Sequence, residues 1–230
     1  MPVDILAHQK SFVDFLVRSE ALLFGDFTLK SGRKSPYFIN AGKFNNGLLI
    51  SELGRFYAAH TVETILRADQ RPLNLIFGPS YKGIPLAVAT AMSLQLNHGI
   101  CAGFSFDRKE EKDHGDRGRF VGQKINPGDR VLIVEDVITA GTTLRQVVPM
   151  LRLEQADLAG VLIAVDRCEK GSQGISAVKE ARELLGVDIF PLINIHQILS
   201  YLSRPNSSGL VLNELQCTNI SEYLAQYGAE

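Results

Sequence analysis

Residues 130–143 read as an apolar strand, two adjacent acids at Glu135 and Asp136, a small loop of Val137, Ile138, Thr139, Ala140 and Gly141, and then Thr142 and Thr143 opening a helix. Backbone N–H groups that converge at a helix N-terminus form an anion cradle, and the hydroxyls of Thr139, Thr142 and Thr143 add donors suited to a phosphate monoester. Gly141 lets the backbone approach a ligand closely, while the two carboxylates supply acceptors for a ribose diol or for hydrated Mg²⁺. A phosphate cradle beside an acid pair points to a sugar phosphate. The competing reading is a plain strand-to-helix turn in which Asp136 caps and the threonines satisfy backbone groups. Adjacent acids at the end of a buried strand rarely serve packing alone. The chain has neither G-x-x-x-x-G-K-[ST] nor G-x-G-x-x-G, which removes the P-loop and dinucleotide-binding readings.

Other segments carry cations that such a ligand would need. Residues 77–85 (Phe-Gly-Pro-Ser-Tyr-Lys-Gly-Ile-Pro) follow an apolar run and open a helix, so their amides and Lys82 suit pyrophosphate, against the reading of a turn with an exposed lysine. Residues 106–118 are almost wholly charged and hold two glycines, so they cannot pack alone and are expected to be disordered without ligand. Charge pattern by itself makes them a solvated hairpin tip. A turn-rich basic stretch follows Lys30 and leads to Phe38 and Ile39, and alone Lys30 reads as a solvated lysine on a strand. Arg167 stands at a strand end, where a guanidinium fork can grip a planar carboxylate bidentately, or make a surface ion pair.

The acid pair followed by Thr-Ala-Gly-Thr resembles the phosphoribosyl pyrophosphate (PRPP) motif of type I phosphoribosyltransferases. The stretches around residues 27–40, 77–85, 106–118 and 165–169 resemble the orotate branch of that family, the likeness spanning about residues 9–202. The resemblance implies transfer of ribose 5-phosphate from PRPP to orotate, giving orotidine 5′-monophosphate and pyrophosphate. It implies that residues 137–143 cradle the 5′-phosphate, that Glu135 and Asp136 hold the ribose hydroxyls, and that Tyr81 and Lys82 meet PRPP. Lys30 would contact the pyrophosphate or the orotate side of the site. Phe38 and Ile39, partly through backbone groups, would line the base pocket with Thr139, and Arg167 would bind the orotate carboxylate. The charged segment, residues 108–118, would close over the site of a neighbouring subunit in a homodimer and deliver Arg108, Lys109, Lys112 and His114 to the pyrophosphate. Lys112, His114, Asp136 and Lys30 are the expected catalytic residues. Mg²⁺ is expected to be held through PRPP and water with no direct protein ligand, and no protein nucleophile is expected. Three positions depart from the family pattern: Ile39 where a second Phe is common, Asp107 where Asn is common, and Arg117 where Glu is common. The rival readings are the same fold with a purine acceptor, and a non-catalytic PRPP sensor that binds nucleic acid.

These groups need a scaffold that aims them at one place. The apolar runs at 73–77, 100–106, 130–134, 158–165 and 187–193, most of them separated by helical patterns at 84–96, 143–155 and 176–185, imply a doubly wound, mainly parallel α/β sheet flanked by helices. An amphipathic helix over 4–23 and two short strands within 24–40 form a small N-terminal hood, followed by a helix over 48–67. We expect one domain of 230 residues: hood elements over about 1–45, an α/β core over 46–202, and a tail over 203–230 with a short helix at 220–227. A formal net charge of −1 argues against bulk nucleic-acid binding. Cys101, Cys168 and Cys217 are too few and too scattered for a disulfide framework, and no apolar run approaches a membrane span, so a soluble cytoplasmic protein is expected. The early Asp4 argues against a signal peptide.

Overall fold

The structure is a computed structural model that describes residues 5–29, 32–109, 119–138 and 141–229. Phe12, Val13, Phe15 and Leu16 recur at helical spacing and are fully buried, which makes Ala7–Arg18 (α1) an amphipathic helix laid onto the core. The chain then runs out and back as an antiparallel pair, Leu22–Thr28 (β1) and Lys34–Ile39 (β2), with a bulge between Phe24 and Phe27. Gly47–His60 (α2) is capped by Asn46, whose side-chain oxygen accepts from the Leu49 amide at 3.0 Å, and it widens into a π-helical turn at Thr61–Leu66.

Strand and helix then alternate through Leu75–Phe77 (β3), Gly83–His98 (α3), Gly103–Asp107 (β4), Phe120–Gly122 (β5), Arg130–Glu135 (β6), Thr142–Leu153 (α4), Asp157–Asp166 (β7), Ala177–Leu185 (α5), Ile189–Asn194 (β8), Ile195–Leu202 (α6) and Glu214–Tyr227 (α7). Six strands lie in the order β5-β4-β3-β6-β7-β8, all parallel except β5. Along β6, Val131 and Ile133 enter one apolar core, with Leu144, Val147 and Leu151 of α4 and Ala181 and Leu185 of α5. Leu132 and Val134 enter the other, larger core, with α1, α2, α3 and α6. Burial on both faces is why the central strands read as continuous apolar runs instead of alternating ones.

The expected elements are present, with ends displaced by a few residues, and the helix expected over 48–67 divides at His60 into α2 and the π-helical turn. Two elements were not expected. β5 is three residues long, too short to show a period, and it exists through its antiparallel pairing with β4. α6 follows β8 without a loop: a reciprocal cap between Asn194 and Gln197 starts it, and Ile195, Ile198 and Leu202 continue the apolar run of the strand. α7 begins at Glu214, earlier than expected, and packs on β2, where the Tyr223 ring meets Tyr37 edge to face at 5.8 Å.

α2 and α3 cross closely at Gly54, where an added Cβ would lie 2.6 Å from the Ala89 carbonyl carbon and oxygen. Glycine to alanine in a helix normally adds stability. Here the sign should reverse, and Gly54→Ala should cost about 1–3 kcal/mol of unfolding free energy, the usual range for overpacking. Urea denaturation measures it, and a stabilised variant would contradict the packing.

Candidate active site

In an open parallel sheet the crevice lies outside the carboxyl ends of the strands. At that edge the loop after β3, the acids after β6, the N-terminus of α4 and the turn after β7 come together. β6 is buried throughout and leaves the core at Glu135 and Asp136, and Tyr57 of α2 fixes this exit by donating its hydroxyl to the Glu135 carbonyl at 2.7 Å. Asp136 Oδ1 accepts from the Val137 amide at 2.8 Å, which turns the chain toward the loop. Gly141 takes φ +65, and α4 begins there with no side chain among the described residues capping its first amides, which leaves these donors suited to an anion.

Lys82 reaches across from the loop after β3 and its Nζ donates to Asp136 Oδ2 at 3.0 Å. The lysine is 72% exposed and the aspartate 17%. Gly78 and Gly83 make that loop tight: a Cβ at Gly78 would sit 2.0 Å from the Gly83 oxygen. The loop is tied to the end of β4 by Asp107, whose Oδ1 accepts from the Ser80 amide at 2.7 Å and whose carbonyl accepts from the Ser80 hydroxyl. Asp107 therefore accepts the bond an Asn oxygen could accept, so the departure there costs no contact of this kind. Tyr81 is exposed. The Arg108 amide donates to the Arg119 carbonyl at 3.0 Å, so β4 and β5 stay paired up to Arg108 and Arg119. Arg108 is half-buried with Nε unpartnered among the described residues, and Lys109 is exposed.

Burial pushes the Glu135 carboxyl up to about 7, and the neighbouring Asp136 charge adds to the effect. Among the described residues no three His, Cys, Asp or Glu side chains converge as a metal cage. The donor set of two adjacent carboxylates fits a hydrated Mg²⁺ that takes its other ligands from substrate phosphates and water.

A second cluster lies at the end of β7. Cys168 adopts φ +49, a left-handed turn held by its amide donating to Asp166 Oδ1 at 2.8 Å. Arg167 then folds onto Glu169, with Nε and Nη2 donating to Oε1 at 2.9 and 2.5 Å, while the guanidinium stacks 4.4 Å from the Tyr37 ring centroid and Nη2 meets the Ser35 hydroxyl at 3.3 Å. Phe38 packs on Phe27 at 5.5 Å between centroids, and Ile39 is half-buried against the larger core.

The structure thus brings Lys82, Asp136, Glu135, Gly141, Thr142 and Thr143 to one edge. It places Arg167 beside the hood strand that carries Phe38 and Ile39. Lys30, Lys112, His114, Thr139 and Ala140 lie outside the described residues. Sequence reasoning missed Tyr57, Asp107 as a loop tie, and the partners of Arg167, namely Glu169, Tyr37 and Tyr223. For Glu169 the spacing of two from Arg167 was the available signal, and it becomes a contact only through the left-handed Cys168.

A model of the phosphoribosyl transferase domain matches residues 43–190. The orotate phosphoribosyltransferase of Shewanella oneidensis is 46% identical over 224 residues, covering 97% of this chain and 99% of that protein. The one from Bifidobacterium longum is 44% identical over 232 residues, covering 98% and 99%. The crystal structure of orotate phosphoribosyltransferase from Francisella tularensis superposes with a TM-score of 0.81 at 35% identity, covering 95% of this chain and all of that one.

The raised Glu135 carboxyl sets a pH dependence. Its folded value lies above the ordinary 4.5, so between about 4.5 and about 7 the folded state holds the proton more tightly, and stability falls as pH rises through that window. Glu135→Gln cannot lose a proton. Relative to the native chain it should gain stability on going from pH 5 to pH 8 in ligand-free urea titrations, and a constant difference between the two would contradict the assignment.

Proposed function

We propose how this chain, which belongs to the orotate phosphoribosyltransferase family, performs the reaction of that family: transfer of ribose 5-phosphate from PRPP to orotate, giving orotidine 5′-monophosphate and pyrophosphate in pyrimidine biosynthesis. The observation that carries the reading is the meeting of Lys82 and Asp136 across the carboxyl ends of β3 and β6. A cation for the leaving pyrophosphate and an anion for the ribose are joined by one hydrogen bond, beside the N-terminus of α4, whose first amides have no side-chain cap among the described residues.

Breaking the bond from C1 of the ribose to pyrophosphate builds positive charge on the ring and negative charge on the leaving group. Asp136 and Glu135 hold the ribose hydroxyls and oppose the cationic ring, while the amides of residues 137–143, with Thr139, Ala140, Thr142 and Thr143, bind the 5′-phosphate. Lys30, Tyr81, Lys82, Arg108, Lys109, Lys112 and His114 hold the departing pyrophosphate. Mg²⁺, bound through PRPP and water beside the two acids, would add charge neutralisation. Arg167 takes the orotate carboxylate, and Phe38, Ile39 and Thr139 border the base. Two guanidiniums, Arg33 and Arg167, share the single Glu169 carboxylate, which leaves the cluster a surplus positive charge suited to one substrate carboxylate. Closure of residues 108–118 excludes water from the activated sugar.

A homodimer with that segment acting in trans accords with an apolar stripe on the outer side of α3, where Pro85, Met92 and Leu96 are exposed at helical spacing with Phe104 of β4 also exposed. Among the described residues no helix is long and apolar enough to cross a membrane, and the three cysteines are free, which accords with a cytoplasmic setting.

With PRPP and Mg²⁺ the protein should consume orotate and leave hypoxanthine and adenine untouched; ribosylation of a purine in place of orotate would overturn the assignment of the base. Asp136→Asn and Lys112→Ala should each be inactive alone. Mixed and allowed to exchange subunits, they should regain activity in about a quarter of all sites, since half of the random dimers are mixed and each has one intact site. No recovery would overturn action in trans.

A further inference from the structure

We propose that Glu169 and Tyr223 are positioning residues for Arg167, so that the C-terminal helix α7 helps set affinity for the base substrate. The proposal rests on the reading of Arg167 as the group that binds the substrate carboxylate. A free arginine samples many rotamers, and a guanidinium that must meet a substrate carboxylate loses affinity when its plane is not fixed beforehand.

Glu169 fixes that plane. Its Oε1 takes both the Nε and Nη2 donors of Arg167, and Nη2 also meets the Ser35 hydroxyl, so among the described residues Nη1 is the nitrogen placed to meet a second carboxylate. Tyr37 fixes the face by stacking beneath the guanidinium at 4.4 Å. Glu169 does not stand unaided. Its Oε1 also accepts from the Tyr223 hydroxyl of α7 at 2.7 Å and from the Tyr37 hydroxyl at 3.2 Å, and its Oε2 accepts from Arg33 Nη1 at 3.2 Å. The Arg33 guanidinium in turn lies 4.5 Å from the centroid of Tyr227, also on α7. Arg167 and Glu169 are each about 14% exposed in their side chains, so the pair is shielded enough for its geometry to persist in water. Tyr223 donates the shortest of the tyrosine bonds to Glu169, and its ring braces Tyr37 edge to face. The plane of Arg167 is therefore set through Glu169 by a helix remote in sequence.

The test uses the full chain and compares KM for orotate, KM for PRPP, kcat and thermal midpoint in Arg167→Met, Glu169→Gln and Tyr223→Phe. Arg167→Met should raise the orotate KM by about a hundredfold or more, as loss of a buried charge-assisted pair does. Glu169→Gln should raise it about tenfold and Tyr223→Phe about threefold, each with a smaller change in kcat and a PRPP KM within about twofold. If Arg167→Met raises the orotate KM while the other two leave it unchanged, the positioning role is overturned and the reading of Arg167 stands. If Arg167→Met leaves it unchanged, both fall. If Glu169→Gln and Tyr223→Phe raise the KM of both substrates in parallel with a lowered thermal midpoint, the contact is a structural tie only, which also overturns the proposal.

Discussion

β6 is walled on both faces by apolar side chains from Val131 to Val134, and that constraint governs where the acids of the site can stand. Val131, Leu132, Ile133 and Val134 have no exposed surface. A carboxylate anywhere along that run would be desolvated without a partner, at a cost of several kcal/mol. The first positions at which an acid can stand are those where the strand leaves the core, and they are occupied by Glu135 and Asp136. The same condition puts Lys82 beyond the end of β3 and Arg167 one residue past β7, so one packing rule delivers the charges of three strands to one edge of the sheet.

The charges at that edge answer one another. Lys82 pairs with Asp136, and Arg167 with Glu169. The two pairs differ in how far water reaches them. Lys82 is mostly exposed, and pairs of that kind contribute about 0–1 kcal/mol, so a phosphate and a diol can exchange with the partners at little cost. The Arg167 pair is shielded, stacked and multiply bonded, so it is a fixed part of the wall and not a contact to be exchanged. The edge therefore combines a loose half, the proposed place of the leaving group, with a rigid half, the proposed side of the base.

Legibility in the sequence follows the same division. The strand end at Glu135 and the helix start at Thr142 could be read because strand, acids and helix follow one another closely along the chain, and that local geometry is supplied by any strand-to-helix turn. Lys82 could be read for a similar reason, since the flanking glycines announce a tight loop. The environment of Arg167 could not. Its partners Ser35, Tyr37, Glu169 and Tyr223 come from the hood, the core and α7, and only tertiary packing assembles them. The tail illustrates the point: α7 has a weak amphipathic pattern with Ile220 and Tyr223 as its buried residues, and its main partner is a two-stranded sheet near the opposite end of the chain. β5 escaped notice because three residues carry no period, and α6 because its apolar residues merge with those of β8.

The hood itself shows why the tail is needed. A two-stranded sheet alone is marginal in water, since one of its faces has nothing to pack on. β2 solves this by burying Tyr37 and Ser35 between the turn after β7 and the tyrosines of α7, with Glu169 receiving the hydroxyls and guanidiniums that this packing brings inside. Among the described residues the buried donors there have acceptors, so the cluster avoids the desolvation cost that an isolated buried arginine would carry. The contacts that stabilise a weak sheet are the same ones that hold the Arg167 guanidinium in one orientation against Tyr37 and Ser35, so the orientation proposed for the base substrate would rest on the bonds that hold the hood in place.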